Sequence, residues 1–62
     1  MKKYTVRLSY DKEYKRVKEF NFDSEENANS FFDQAVKRAE RIGFGTIALW
    51  NGDWKIKSAR IE

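Results

Sequence analysis

The 62-residue chain predicts a single α+β domain of ββαββ order, a four-stranded antiparallel sheet with one amphipathic helix packed on one face. Three observations carry that expectation. Residues 3–10 alternate with a period of two, residues 24–42 repeat apolar side chains at spacings of three and four, and Asn51-Gly52 separates two further alternating runs. No repeat, linker, low-complexity stretch or proline interrupts them.

In the first strand, 3–10, Tyr4, Val6, Leu8 and Tyr10 share one face, and Lys3, Thr5, Arg7 and Ser9 share the other. Asp11-Lys12-Glu13 reads as a turn, and Tyr10 and Tyr14 frame it. The second strand, 14–22, is less regular, because Phe20 and Phe22 agree in parity while Val17 does not. Either Val17 is a surface valine or a β-bulge near Lys18-Glu19 resets the alternation. The bulge is favoured, since pairing Leu8 with Val17 and Val6 with Phe20 gathers the apolar groups on one side.

The helix spans 24–42. Asp23 or Ser24 caps it, and Asp23-Ser24-Glu25-Glu26 has the spacing of a capping box. Ala28, Phe31, Phe32, Ala35, Val36, Ala39 and Ile42 form one apolar stripe, opposite Glu26, Asp33, Lys37, Glu40 and Arg41. Acids lie in the first turn and Lys37, Arg38 and Arg41 near the end, matching the helix dipole. Gly43 is placed as a left-handed cap.

Strands 46–50 and 53–61 form the last hairpin. A two-residue Asn51-Gly52 loop is the strongest short-range hairpin signal. It pairs Trp50 with Asp53, Leu49 with Trp54 and Ile47 with Ile56. Ile47, Leu49, Trp54 and Ile56 then face the core, while Ala48, Trp50, Lys55, Lys57, Ala59 and Ile61 take the outer parity.

Composition limits the chemistry. A domain of this size buries only about 60% of its unfolded surface and is marginally stable. With no Cys and no His, the chain has neither disulfides nor the usual zinc ligands. Ten aromatic residues supply large apolar area instead. The absence of Cys and His also removes the common nucleophilic triads, and the acids fall mostly on a helix start, a solvent face, turns and the chain end. No enzyme activity, cofactor or metal is expected. Gly43-Phe44-Gly45 brings to mind the RNP1 segment of RNA-recognition motifs, but Ile42 separates Arg41 from Gly43 and Thr46 stands where an aromatic is needed. A helix cap followed by a strand start explains it more simply.

The net charge is +3, distributed as +4 over residues 1–22, −2 over 23–43 and +1 over 44–62, so the basic excess lies in the strands. The basic start, MKKYTVRLSY, is not followed by an apolar signal region, and the longest apolar run is Ile47–Trp50. A cytoplasmic protein without membrane contact is therefore expected.

One constellation stands out on the outer sheet face. Trp50 projects there with Lys55 and Lys57 nearby, and Lys3, Thr5 and Arg7 lie on the same face of the first strand. Protein interfaces use such aromatic and basic groups, and so do single-strand nucleic-acid sites. The plainer alternative is that Trp50 lies across lysine stems.

In layout the chain resembles small accessory proteins of phages and mobile elements, among them anti-CRISPR and other anti-defence inhibitors. The resemblance spans all four strands and the helix but includes no shared motif, so no residue role follows from it. It implies a stoichiometric binder that blocks a host enzyme or complex. The expected function is a non-catalytic, inhibitor-type module with a protein partner. Nucleic-acid binding through the basic residues and Trp50 ranks second, and a self-assembling structural protein third. The chain itself is expected to be a monomer or homodimer.

Overall fold

The computed structural model describes residues 4–11 and 16–62. Period-two alternation produces β1 (Tyr4–Ser9), β2 (Lys18–Phe22), β3 (Gly45–Asn51) and β4 (Trp54–Ile61), and the apolar stripe produces α1 (Glu25–Ile42) between β2 and β3. The four strands form one antiparallel sheet in the order β2-β1-β3-β4. The predicted α+β, ββαββ architecture is therefore the observed one. Lys3 and residues 12–15, which include Tyr14 and most of the predicted turn, lie outside the described residues.

The helix begins at Ser24, whose extended backbone (φ −121°, ψ 135°) and side-chain oxygen accept the transition, with Asn27 N–H donating to Ser24 Oγ at 3.3 Å. This cap makes Asn27 the third helical residue, so Glu26 does not hold the capping-box position read from Asp23. At the other end Gly43 has φ 104° and donates to the Ala39 carbonyl at 2.7 Å.

Most of the helix that meets the sheet is alanine. Ala28, Ala35 and Ala39 are buried with Phe32 against Val6 and Leu8 of β1 and Ile47 and Leu49 of β3. Small side chains let the helix backbone lie close over the two central strands. Ile42, expected in the same stripe, is 44% exposed at the last helical position before Gly43. The outlying strand β2 is joined to the helix through aromatic rings. Phe31 lies 4.8 Å from Phe20 and 5.3 Å from Phe22, centroid to centroid, both tilted. Tyr10 follows β1 and donates its hydroxyl to the Ala35 carbonyl at 3.3 Å. Burial raises its pKa above the ordinary phenol value, partly opposed by the Arg38 guanidinium.

Two expectations about strand register are corrected. In β2 no bulge separates Phe20 from Lys18: Val6 pairs with Phe20 as predicted, but Leu8 pairs with Lys18. Val17 is the surface valine, 56% exposed. In the last hairpin the turn is Gly52-Asp53, with Asn51 paired to Trp54. Trp50 pairs with Lys55, yet Leu49 pairs with Lys57, so Ile56 is an inserted residue and the alternation of β4 changes phase there. From that point Lys57, Ala59 and Ile61 share the helix face, with Ala59 opposite Ile47 and Ile61 opposite Gly45. Trp54 and Ile56, predicted in the core, are 74% and 37% exposed. The observed register extends pairing to Ile61 and buries Ala59 and Ile61 beside a close-lying helix, leaving the bulky Trp54 at the hairpin end.

Helix and sheet lie in tight contact at Gly45, which has φ 152°. A Cβ there would stand 2.9 Å from Ala39 Cβ and 3.2 Å from the Ser9 carbonyl oxygen. Gly45→Ala is expected to lower the stability to urea by about 1–3 kcal/mol, the usual range for overpacking. A urea midpoint equal to that of the wild type would show that the helix is not seated this closely.

Candidate functional site

The helix covers one face of the sheet, and among the described residues no helix or strand covers the other. Strict alternation brings Thr5, Arg7 and Ser9 of β1 to that outer face, opposite Trp50, Ala48 and Thr46 of β3. The phase change in β4 brings Ser58 and Arg60 opposite Ala48 and Thr46, and Lys55 opposite Trp50.

Of the predicted site residues, Trp50, Lys55, Thr5 and Arg7 come together. The Trp50 indole is half-buried, with Arg7 Cζ 5.1 Å and Lys55 Nζ 5.9 Å from its ring centroid. Contacts of this kind contribute about 0.5–1 kcal/mol at exposed sites. Arg7 also donates from Nε to Glu19 Oε2 at 2.7 Å, with both side chains about half exposed. Thr5 donates its hydroxyl to Asn21 Oδ1 at 2.9 Å. Lys57 does not join them. The inserted Ile56 turns it to the helix face, where its Nζ lies 4.6 Å from the Phe32 ring centroid and its stem lies over the core.

The outer face contains a shallow groove of about 360 Å³. Val17, Ala48 and Trp50 give it apolar walls, Ser9 and Thr46 line one end, and Arg7 and Arg60 stand at the rim. Sequence reasoning placed Ser9 and Ala48 on this face without assigning them a part in the site. It missed Arg60, because unbroken alternation from Trp54 directs that residue to the core side. The odd parity of Val17 was the visible signal for its position, and it was read as a bulge.

Three side-chain atoms on this face, Ser9 Oγ, Thr46 Oγ1 and Trp50 Nε1, are buried and have no hydrogen-bond partner among the described residues. Ser9 as a whole is only 3% exposed. An unpaired buried polar group costs about 1–3 kcal/mol, so the groove holds a concentration of polar groups that the fold itself leaves unused. Among the described residues, no group of three or more acids is arranged to hold a metal ion. No described helix is long and apolar enough to cross a membrane.

The fold and face thus define an open-faced ββαββ sheet with a groove on its uncovered side. No protein family, curated protein or solved structure matches the chain.

Thr46→Val keeps the side-chain shape and the strand preference while removing the orphan hydroxyl. It is expected to raise stability by about 1 kcal/mol in urea unfolding. A loss of similar size would mean that the hydroxyl is satisfied within the fold.

Proposed function

We propose that the protein is a non-catalytic binding module of the inhibitor type, and that it engages a protein partner through the outer sheet face. The observation that carries this reading is the groove beside Trp50, where apolar walls, three unpaired polar atoms and a basic rim lie on the sheet face opposite the helix. Protein interfaces combine these elements, with a large aromatic at the centre, groups awaiting hydrogen bonds and charge at the margin.

The same geometry makes nucleic acid the weaker reading. Base stacking needs an open ring face, whereas Arg7 and Lys55 already lie against the Trp50 indole. At the rim Arg7 pairs with Glu19 and Arg60 with Glu62 at 3.2 Å, exposed pairs that do not by themselves separate a phosphate from a carboxylate. Self-assembly through strand edges is opposed by β4 itself. It carries Lys55, Lys57 and Arg60 and is interrupted by a bulge, both of which discourage edge pairing.

The test is parallel affinity capture from extract of the native host, with wild type and Trp50→Ala as baits and nuclease-treated controls. The expected result is a protein retained by the wild type at physiological salt and lost with Trp50→Ala, a truncation that typically costs 2 kcal/mol or more, about 30-fold, at a hot spot. Equal retention by both baits, or retention of nucleic acid alone, would overturn the proposal.

A further inference from the structure

The polar groups of the groove are spaced along the β1–β3 seam. Ser9 faces Thr46, Arg7 faces Ala48 and Thr5 faces Trp50, so the orphan hydroxyls lie at one end and the orphan indole N–H at the other. The four steps from Thr46 to Trp50 cover about 13 Å at the rise of an extended strand. The small Ala48 lies between them, with Val17 also lining the groove.

Each group restricts what fits. The Trp50 indole only donates and so requires an acceptor, while the Ser9 and Thr46 hydroxyls both donate and accept. A change of χ1 by about 120° turns either hydroxyl toward the groove. The stretch over Ala48 and Val17 offers contact only to an apolar group. Around it, the described charges of the outer face are Arg7, Lys55 and Arg60 against Glu19 and Glu62, a small positive excess. The Arg7–Glu19 pair is solvent-exposed, and such pairs contribute little, so a carboxylate from a partner exchanges readily for Glu19.

We infer that the groove binds an extended segment of a partner protein in which acidic and apolar residues alternate. One of its carbonyls accepts from the Trp50 indole once the ring and the Arg7 and Lys55 side chains against it shift to open Nε1, an apolar side chain rests on Ala48 and Val17, and polar groups at its other end meet Ser9 and Thr46. Its carboxylates pair with the rim cations. An extended chain has the same rise per residue as the seam, so four or five residues match the distance between the two polar ends. Nucleic acid would offer phosphates to the rim, but its bases would find no open aromatic ring to stack on, since Arg7 and Lys55 lie against the Trp50 indole. This inference rests on the binding-face reading above and specifies the chemistry of its ligand.

The test is an NMR titration of the full ¹⁵N-labelled chain with acetylated, amidated Glu-Leu-Glu-Leu-Glu. Lys-Leu-Lys-Leu-Lys and a short oligothymidylate serve as comparisons, and Trp54→Phe identifies the Trp50 indole signal. The expected result is a saturable downfield shift of that indole proton, with the amides of Ser9, Thr46 and Ala48 moving in the same titration. Binding of the lysine peptide should be about tenfold weaker or more. Ser9→Ala and Thr46→Val, each with a native amide spectrum, should weaken the acidic peptide about threefold or more. Shifts centred on Trp54 or the helix, equal affinity for the lysine peptide, a larger response to oligothymidylate, or unchanged affinity in both hydroxyl variants would overturn the inference. A captured partner that depends on Trp50 but no response to the acidic peptide would remove the peptide chemistry and leave the binding face standing. Peptide binding in the groove without such a partner would do the reverse.

Discussion

A β-strand has two faces and a period of two, so a single inserted residue exchanges them. Opposite Leu49 and Trp50, β4 contains that residue in Ile56. Before it, Lys55 stands on the outer face beside Trp50; after it, Lys57, Ala59 and Ile61 stand on the helix face. The same change sends Arg60 outward to the groove rim. Without the insertion, β4 would offer Ser58 and Arg60 to the core and Ala59 and Ile61 to solvent. The bulge thus determines both the last part of the core and the charge of the candidate site.

The rest of the core follows from a helix seated close to the two middle strands. Ala28, Ala35 and Ala39 allow the approach, and Gly45 leaves room for Ala39 where a Cβ would stand 2.9 Å from it. A narrow helix cannot cover four strands. Phe31 reaches β2 through Phe20 and Phe22, and the Lys57 stem crosses to Phe32 from β4. On the opposite face the described residues form no second layer, and side chains there cover one another. Arg7 and Lys55 lie over Trp50, while Ser9 and Thr46 lose water without gaining a hydrogen bond. A small domain has little stability to spare, so three unpaired buried atoms on one face are a real cost to its fold.

Local signals made most of the architecture legible in the sequence. The stripe from Ala28 to Ala39, the Gly43 stop and the alternation of Tyr4, Val6 and Leu8 each act within a few residues, and they fixed the helix and β1. Trp50, Arg7, Thr5 and Lys55 were placed on one face by the same parity. Parity failed where the chain departed from it. Asn51-Gly52 marked a turn correctly but not its register, since Gly52-Asp53 became the loop and a bulge followed. Val17 broke the pattern of β2 for a different reason, as a surface residue lining the groove. A bulge and a surface exception look alike in sequence, and long-range packing against the helix distinguished them. Nothing local announced the orphan state of Ser9, Thr46 and the Trp50 indole, because a missing hydrogen bond depends on every neighbour at once.

The functional reading of the outer face therefore depends on the phase of β4, which places Arg60 and Lys55 beside the groove and Lys57 away from it. Interstrand nuclear Overhauser contacts measure that phase directly. The account predicts contacts between Leu49 and Lys57 and between Ile47 and Ala59, together with contacts from the Lys57 side chain to the Phe32 ring. Contacts joining Leu49 to Trp54 and Ile47 to Ile56 would instead establish an uninterrupted hairpin, return Lys57 to the outer face, and contradict the site as described.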